Sequence, residues 1–326
     1  MKRKVIGISI GDPAGIGPEV LLKGFPYIKK IPGVIPLVIG DVSVIEKNFI
    51  YGKAKINVIK TKDEIKEDYL NIYEVGIIKN KKFPIGKDSS LCGKASFLYV
   101  ERAIQLWKEG QIDGLLTLPI SKKSWHLAGF RYAGHTELLA ERLGCKKYAM
   151  VMVAGSIRVL LATTHIPLKD VSKNLSTPLL VEKVITGYEF LIKSGIKKPV
   201  MGISGLNPHS GEGGILGREE SEIIIPAIRI LNKRGIDCAG PIPADAIFKK
   251  AFEGIIDMIV VMYHDQAMIL LKTFFFDKLV NVTAGLKMVR TSPGHGTAFD
   301  IAYKGKAVPS SFVEAYKLTG DLITKV

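Results

Sequence analysis

Apolar residues in this chain fall in short runs, and each run breaks into glycine, proline and polar side chains. Residues 5–10 enter Gly11-Asp-Pro-Ala-Gly-Ile-Gly-Pro-Glu19, residues 35–40 end at Asp41, and residues 114–118 close in Pro119-Ile-Ser-Lys-Lys123. Residues 158–164 run into His165, 199–205 into Leu206-Asn-Pro-His-Ser-Gly-Glu-Gly-Gly214, and 256–263 into His264-Asp265-Gln266. Continuous apolar runs of this kind predict strands buried on both faces of a parallel sheet. Residues 149–153 and 158–162, separated by Ala154-Gly-Ser-Ile, predict a hairpin.

Between the strands the period lengthens. Phe97, Val100, Ile104 and Trp107 mark one helical face over 95–109, ended by Gly110. Helical patterns follow Pro18, begin near Gly134, and span 176–193 and 217–234; residues 240–245 form a loop into another helix. The Lys-rich stretch 53–90 predicts peripheral strands and loops. Strands alternating with helices define an α/β fold.

At 326 residues the chain exceeds one ordinary core, so two lobes are expected. The 46 Lys and Arg outnumber the 31 Asp and Glu, a net charge of +15 that favours anionic partners. The excess is dispersed, without clustering or interleaved aromatics, which argues against nucleic acid. Cys92, Cys145 and Cys238 are odd in number and far apart, in keeping with a reducing cytoplasm. The basic start followed by residues 5–10 is too short and meets Asp12 too soon for a signal peptide, and no run approaches the ~20 residues that span a bilayer.

Three strands therefore deliver His165, His209 and His264 to one sheet edge, where open α/β sheets bind ligands. Three imidazoles leave a divalent ion with open positions, the pattern of a catalytic rather than a structural site. Asp265 or Asp245 is placed to add a carboxylate or act behind the ligands. His135 or Thr136 stands near a helix N-terminus, which favours an anion, although Thr136 reads equally as a cap. Lys272, Asn281 and Arg290 follow His264 closely; a cation with an amide donor suits phosphate or carboxylate. The small residues of 290–300 expose backbone N–H groups to a ligand.

Gly11-Asp-Pro-Ala-Gly-Ile-Gly-Pro-Glu19, Gly134-His-Thr-Glu137, Thr164-His-Ile-Pro167, Asn207-Pro-His-Ser-Gly-Glu-Gly-Gly214, Tyr263-His-Asp-Gln266 and Asn281-Val-Thr-Ala-Gly-Leu286 together resemble the 4-hydroxythreonine-4-phosphate dehydrogenase family. The resemblance runs from Val5 to about Leu318. It implies a fold like that of isocitrate and isopropylmalate dehydrogenases, two α/β/α lobes flanking a cleft. Residues 1–119 plus 270–326 would form a cofactor-side lobe, and 120–269 a metal-binding and dimerisation lobe. It also implies a homodimer with a shared active site, while the residues themselves point to a cytoplasmic protein with neither nucleic-acid nor membrane partners.

Residue by residue, His165, His209 and His264 look like the family's ligands for one divalent ion (Zn, Mg or Co). His135, Thr136, Lys272, Asn281 and Arg290 match its contacts to a phosphorylated small-molecule substrate. His295, Gly296, Thr297, Ala298 and Asp300 lie in a stretch similar to the adenosine-binding loop of the broader decarboxylating dehydrogenases. NAD or NADP is implied by the resemblance alone, since no G-x-G-x-x-G occurs. The implied reaction oxidises 4-phosphohydroxy-L-threonine to a 3-oxo acid that loses carbon dioxide, in pyridoxal phosphate synthesis. Asp245, Asp265 or a metal-bound water would be the base. Gly294, Ser121, Tyr303, Phe274-Phe-Phe276 and Lys287-Met288 depart from the pattern. Relatives act on 4-phospho-D-erythronate or 4-phospho-D-threonate, which makes sugar-acid catabolism the nearest alternative. A three-histidine metallohydrolase and a non-catalytic anion-binding protein are rivals from other classes.

Overall fold

The first apolar run forms β1, Lys4–Ser9, buried along almost its whole length, as expected of a strand covered on both faces. The structure, a computed structural model, describes residues 3–79 and 81–325, so Met1 and Lys2 of the basic start lie outside it. A tight turn leads to α1, Gly17–Ile28, with Pro18 in its first turn and Glu19 at its positive end. Then come β2, Val34–Gly40, and α2, Val42–Glu46. The Lys-rich stretch supplies β3, Ile56–Ile59, and β4, Leu70–Glu74.

Helix α3, Ser90–Lys108, begins ahead of its apolar face because the Ser89 side chain accepts the Cys92 N–H and caps it. It is followed by β5, Gly114–Thr117, α4, Lys122–Leu127, and α5, His135–Arg142. Gly134 occupies the cap position of α5, so Thr136 lies inside the first turn and is not the cap.

The next segment supplies the strands of the second unit. The hairpin β6, Ala149–Ala154, and β7, Ile157–Leu161, pairs antiparallel. After α6, Val171–Asn174, and α7, Thr177–Lys193, comes β8, Val200–Ser204. The helix expected over 217–234 is broken: Glu220–Ile224 is a π-helical turn, and α8 covers only Ile225–Lys233. Pro226 has no N–H to return to the preceding turn, which locally widens the helix.

Strand β9, Asp237–Ile242, lies where a loop was expected. Gly240 and Pro241 mimic a loop, yet proline is tolerated on an edge strand, and among the described residues β9 pairs only with β8. Next are α9, Ala244–Phe252, β10, Met258–Val261, α10, His264–Phe275, and β11, Val280–Ala284. The order is β11-β6-β7-β10-β8-β9, with β7, β10, β8 and β9 parallel. Val159, Leu161, Ile247, Phe248, Ile259, Val261, Met268 and Leu271 are buried in its core.

The chain then returns to the first unit through β12, Val289–Pro293, and α11, Ser310–Lys325. Strand β12 pairs parallel with β5, completing the order β3-β4-β2-β1-β5-β12. Phe312 and Tyr316 of α11 are fully buried, each worth about 1.5–3 kcal/mol of burial. Gly24 of α1 permits this packing, since a Cβ there would stand 2.5 Å from the Phe312 ring.

Two compact units result: Met1–Cys145 with Leu286–Thr324, and Lys146–Gly285. The crossings fall in the connections after α5 and β11. They differ from breaks after residues 119 and 269, the second of which would cut α10.

Candidate functional site

In the second unit, parallel pairing sends the chain out of β7, β8 and β10 at one edge. Ala162 N donates to Val261 O at 2.9 Å, and the Thr163 hydroxyl donates to Met262 O at 2.7 Å. These bonds continue the ladder past the strand ends and bring His165 beside His264, with ring centroids 5.6 Å apart. Gln266 ties the same corner to β8, donating to Gly205 O at 2.9 Å and accepting Met262 N at 2.8 Å. That fixing role was not visible in the sequence.

His264 Nδ1 lies 2.7 Å from Asp265 Oδ1. A carboxylate on one ring nitrogen holds the ring in place and directs the other nitrogen outward, the usual arrangement behind a metal-binding histidine. Asp245 stands exposed in the first turn of α9.

His209 is exposed and rides on an unusual backbone. His209, Ser210, Gly211, Glu212 and Gly213 all have positive φ, from 45° to 82°, a left-handed turn with three non-glycine residues. Buried Glu220 anchors its base, accepting Leu206 N and Asn207 N at 2.8 Å each and Asn207 Nδ2 at 3.0 Å.

With metal–nitrogen bonds of about 2.0–2.1 Å, two imidazoles on one ion hold their centroids roughly 5 Å apart, so His165 and His264 fit a shared divalent ion. The third expected ligand is not gathered with them: among the described residues, no group of three or more His, Cys, Asp or Glu is placed to hold a metal. Lys272 is exposed, eight residues beyond His264 on α10 and about 12 Å farther along its axis. Asn281 is half-buried on β11, and its Oδ1 has no partner among the described residues.

In the first unit, Arg290 on β12 is 3% exposed. Its Nε and Nη2 donate to the Thr117 hydroxyl at 3.1 and 2.6 Å. Burial lowers its pKa to about 10, against the pull of Glu137, and it stays cationic at neutral pH. His135 opens α5 within reach of that charge; burial first, then Arg290, pushes its pKa well below the usual imidazole value. The Trp125 ring meets it edge-on at 5.5 Å, and its buried Nε2 has no partner among the described residues. Thr136 is half-buried in the same first turn. A neutral imidazole beside a guanidinium suits an anion that the guanidinium neutralises.

The 11–17 turn packs on protein. A Cβ at Gly11 would run into Pro119 O, and one at Gly15 would lie 3.0 Å from Thr297 O. Ile16 N donates to Thr297 O at 3.0 Å, so this turn carries the 295–300 loop. Gly296 and Asp300 are exposed there, while Ala298 and Tyr303 have φ of 42° and 59°. Tyr303 thus occupies a conformation that favours glycine, held by its hydroxyl on Pro13 O at 2.9 Å. His295 Nδ1 lies 3.0 Å from Gly296 O, its Nε2 is buried, and burial lowers its pKa. Arg290 itself stands in β12, not in a ligand loop.

Asp12, fully buried in this turn, has its pKa raised to about 6, mainly by burial, although Oδ1 accepts Ala14 N at 2.9 Å.

These features define a class of α/β protein, presenting imidazoles at strand ends of one unit and a buried cation on a strand of the other. A model of the family described as "Pyridoxal phosphate biosynthetic protein PdxA" matches residues 34–319. The chain is 42% identical to the 4-hydroxythreonine-4-phosphate dehydrogenase of Aquifex aeolicus, over 99% of each. It is 40% identical to the D-threonate 4-phosphate dehydrogenase of Cupriavidus necator, over 98% of each. The solved structure of a Klebsiella pneumoniae 4-hydroxythreonine-4-phosphate dehydrogenase matches at a TM-score of 0.89 and 34% identity, over 98% of each chain. The chain belongs to this family. Its members named here are dehydrogenases, a class of chemistry that implies a nicotinamide cofactor. Among the described residues no helix is long and apolar enough to cross a membrane.

Proposed function

We propose that this protein oxidises the C3 hydroxyl of 4-phosphohydroxy-L-threonine to a 3-oxo acid, which decarboxylates on the route to pyridoxal phosphate. Buried Arg290, held at the end of β5 beside His135, carries the reading as an anchor for an anionic group of the substrate. His135 and Thr136 would add neutral donors, and Lys272 and Asn281 further contacts. His165 and His264, with His209, would hold one divalent ion (Zn, Mg or Co). Bound there, such an ion would supply Lewis-acid chemistry at the alcohol, and a nicotinamide cofactor, NAD or NADP, would supply the hydride acceptor.

Asp265 is engaged with His264 and orients it, which leaves exposed Asp245 as the base to receive the hydroxyl proton. The 295–300 loop, through His295, Gly296, Thr297, Ala298 and Asp300, would carry the cofactor; a Cβ at Gly296 would meet nothing within 4 Å. The first unit is thus the cofactor side and the second the metal side. Lys272 lies two helical turns from His264, which supports a homodimer in which the two serve different sites.

The Cupriavidus relative favours a second substrate, 4-phospho-D-threonate. The deciding experiment follows nicotinamide reduction by purified protein with a divalent ion. It compares 4-phosphohydroxy-L-threonine, 4-phospho-D-threonate and 4-phospho-D-erythronate. Preference for the first is expected; preference for either other keeps the chemistry and moves the protein to sugar-acid catabolism. Failure with all three sinks the dehydrogenase reading of this site. His264→Ala is expected to lose both bound metal, by elemental analysis, and turnover, and full turnover after metal stripping would refute the ion's role.

A further inference from the structure

We propose that Thr117 is a positioning residue that aims Arg290 at the substrate's anionic group. The inference rests on the reading of Arg290 as the anion anchor and adds what sets its direction.

Strands β5 and β12 run parallel, with Arg290 opposite Leu115 and Thr291 opposite Leu116. Side chains of a strand alternate faces, so Thr117, two residues beyond Leu115, lies on the same face as Arg290. It is also the last residue of β5, at the edge where ligands bind. The Arg290 side chain leaves the second residue of β12 and reaches diagonally along the sheet to this residue. Thr117 thereby draws the guanidinium toward the strand ends.

The contact is specific. One hydroxyl oxygen accepts both Nε and Nη2, which fixes the plane of the fork as well as its position. Thr117 is fully buried, and its hydroxyl oxygen accepts both of these bonds from Arg290. Valine would fill the same space on a buried strand, so the hydroxyl is what distinguishes threonine here. A hydroxyl accepts without neutralising the guanidinium, whereas an aspartate in its place would cancel the charge.

The test compares Thr117→Val, Thr117→Ser and Arg290→Ala in the full chain. It measures kcat, KM for the phosphorylated substrate, affinity for inorganic phosphate by calorimetry, and Tm. Thr117→Val is expected to raise KM and the phosphate Kd about tenfold with kcat less affected, the usual scale for one hydrogen bond to a charged group. Thr117→Ser, which keeps the oxygen, is expected to stay within about twofold. In an Arg290→Ala background the valine substitution is expected to add nothing, because its effect passes through the guanidinium.

Thr117→Ala serves the same comparison if valine prevents folding. Unchanged KM and phosphate affinity in Thr117→Val, equal damage in Thr117→Ser, or additive loss in the double variant would each overturn the proposal. Unchanged KM in Arg290→Ala would instead overturn the anion-anchor reading on which it stands.

Discussion

His135 is held neutral, and that has a thermodynamic consequence. Its folded pKa lies well below the usual value near 6.5, so the unfolded chain takes up the proton first as pH falls. The stability it contributes is present above pH 6.5 and lost below. Asp12 acts in the opposite sense: its folded pKa of about 6 exceeds the unfolded one near 3.9, so the fold gains stability as pH falls from 6 toward 4. His135→Gln is therefore expected to remove the acid-side loss. In urea titrations, the advantage of wild type over this variant should narrow between pH 7.5 and 5.5. A constant difference across that range would show that His135 is not buried neutral. The candidate groups stood out as residue types at the ends of apolar runs. Their partners were not, because Thr117 meets Arg290 across 173 positions and nothing local marks either for the other.

At the scale of elements, the 209–213 turn stores strain. Left-handed φ at a non-glycine residue costs about 1–2 kcal/mol, and three such residues occur within four positions. The anchoring bonds of Glu220 offset part of this cost. Glu212 is exposed, so Glu212→Gly should relieve its share and raise stability by about 0.5–1 kcal/mol in a urea melt, glycine's own chain entropy taking back the rest. A loss of stability would mean that the Glu212 side chain does more than tolerate the turn. The left-handed run was not readable in advance, since His and Ser carry no such preference. The apolar runs, by contrast, made most strands plain. Strands β9 and β12 were obscured because Pro241 and the small polar residues after Arg290 carry the composition of loops, and pairing partners far along the chain overrode it.

For the whole molecule, assembly is the open variable. Leu168, Ile215, Ile269 and Phe274 of the second unit are all exposed, and a dimer formed through this unit would give such side chains cover. Sedimentation velocity is expected to give twice the chain mass. If the site is shared, mixing inactive His264→Ala chains with inactive Lys272→Ala chains should restore activity, because some mixed dimers carry one intact set. Mixtures that remain inactive would place both residues in the same site. Two lobes followed from length alone, but their exact crossings depended on where β11 and β12 lie, and neither was marked as a strand by its residues.

The second unit interrupts the first in the chain, and this sets the order of events during synthesis. Strand β5 emerges from the ribosome long before β12, which must lie against it. At roughly 5–20 residues per second, the 171 intervening residues take about 9–34 seconds. Throughout that interval β5 lacks a neighbour on one side, and the surface that α11 will bury stays wet. The continuous middle segment carries every strand from β6 to β11 and is free to fold first. The nascent first half is thus a client for chaperones until the last forty residues arrive, and translation rate becomes a determinant of yield.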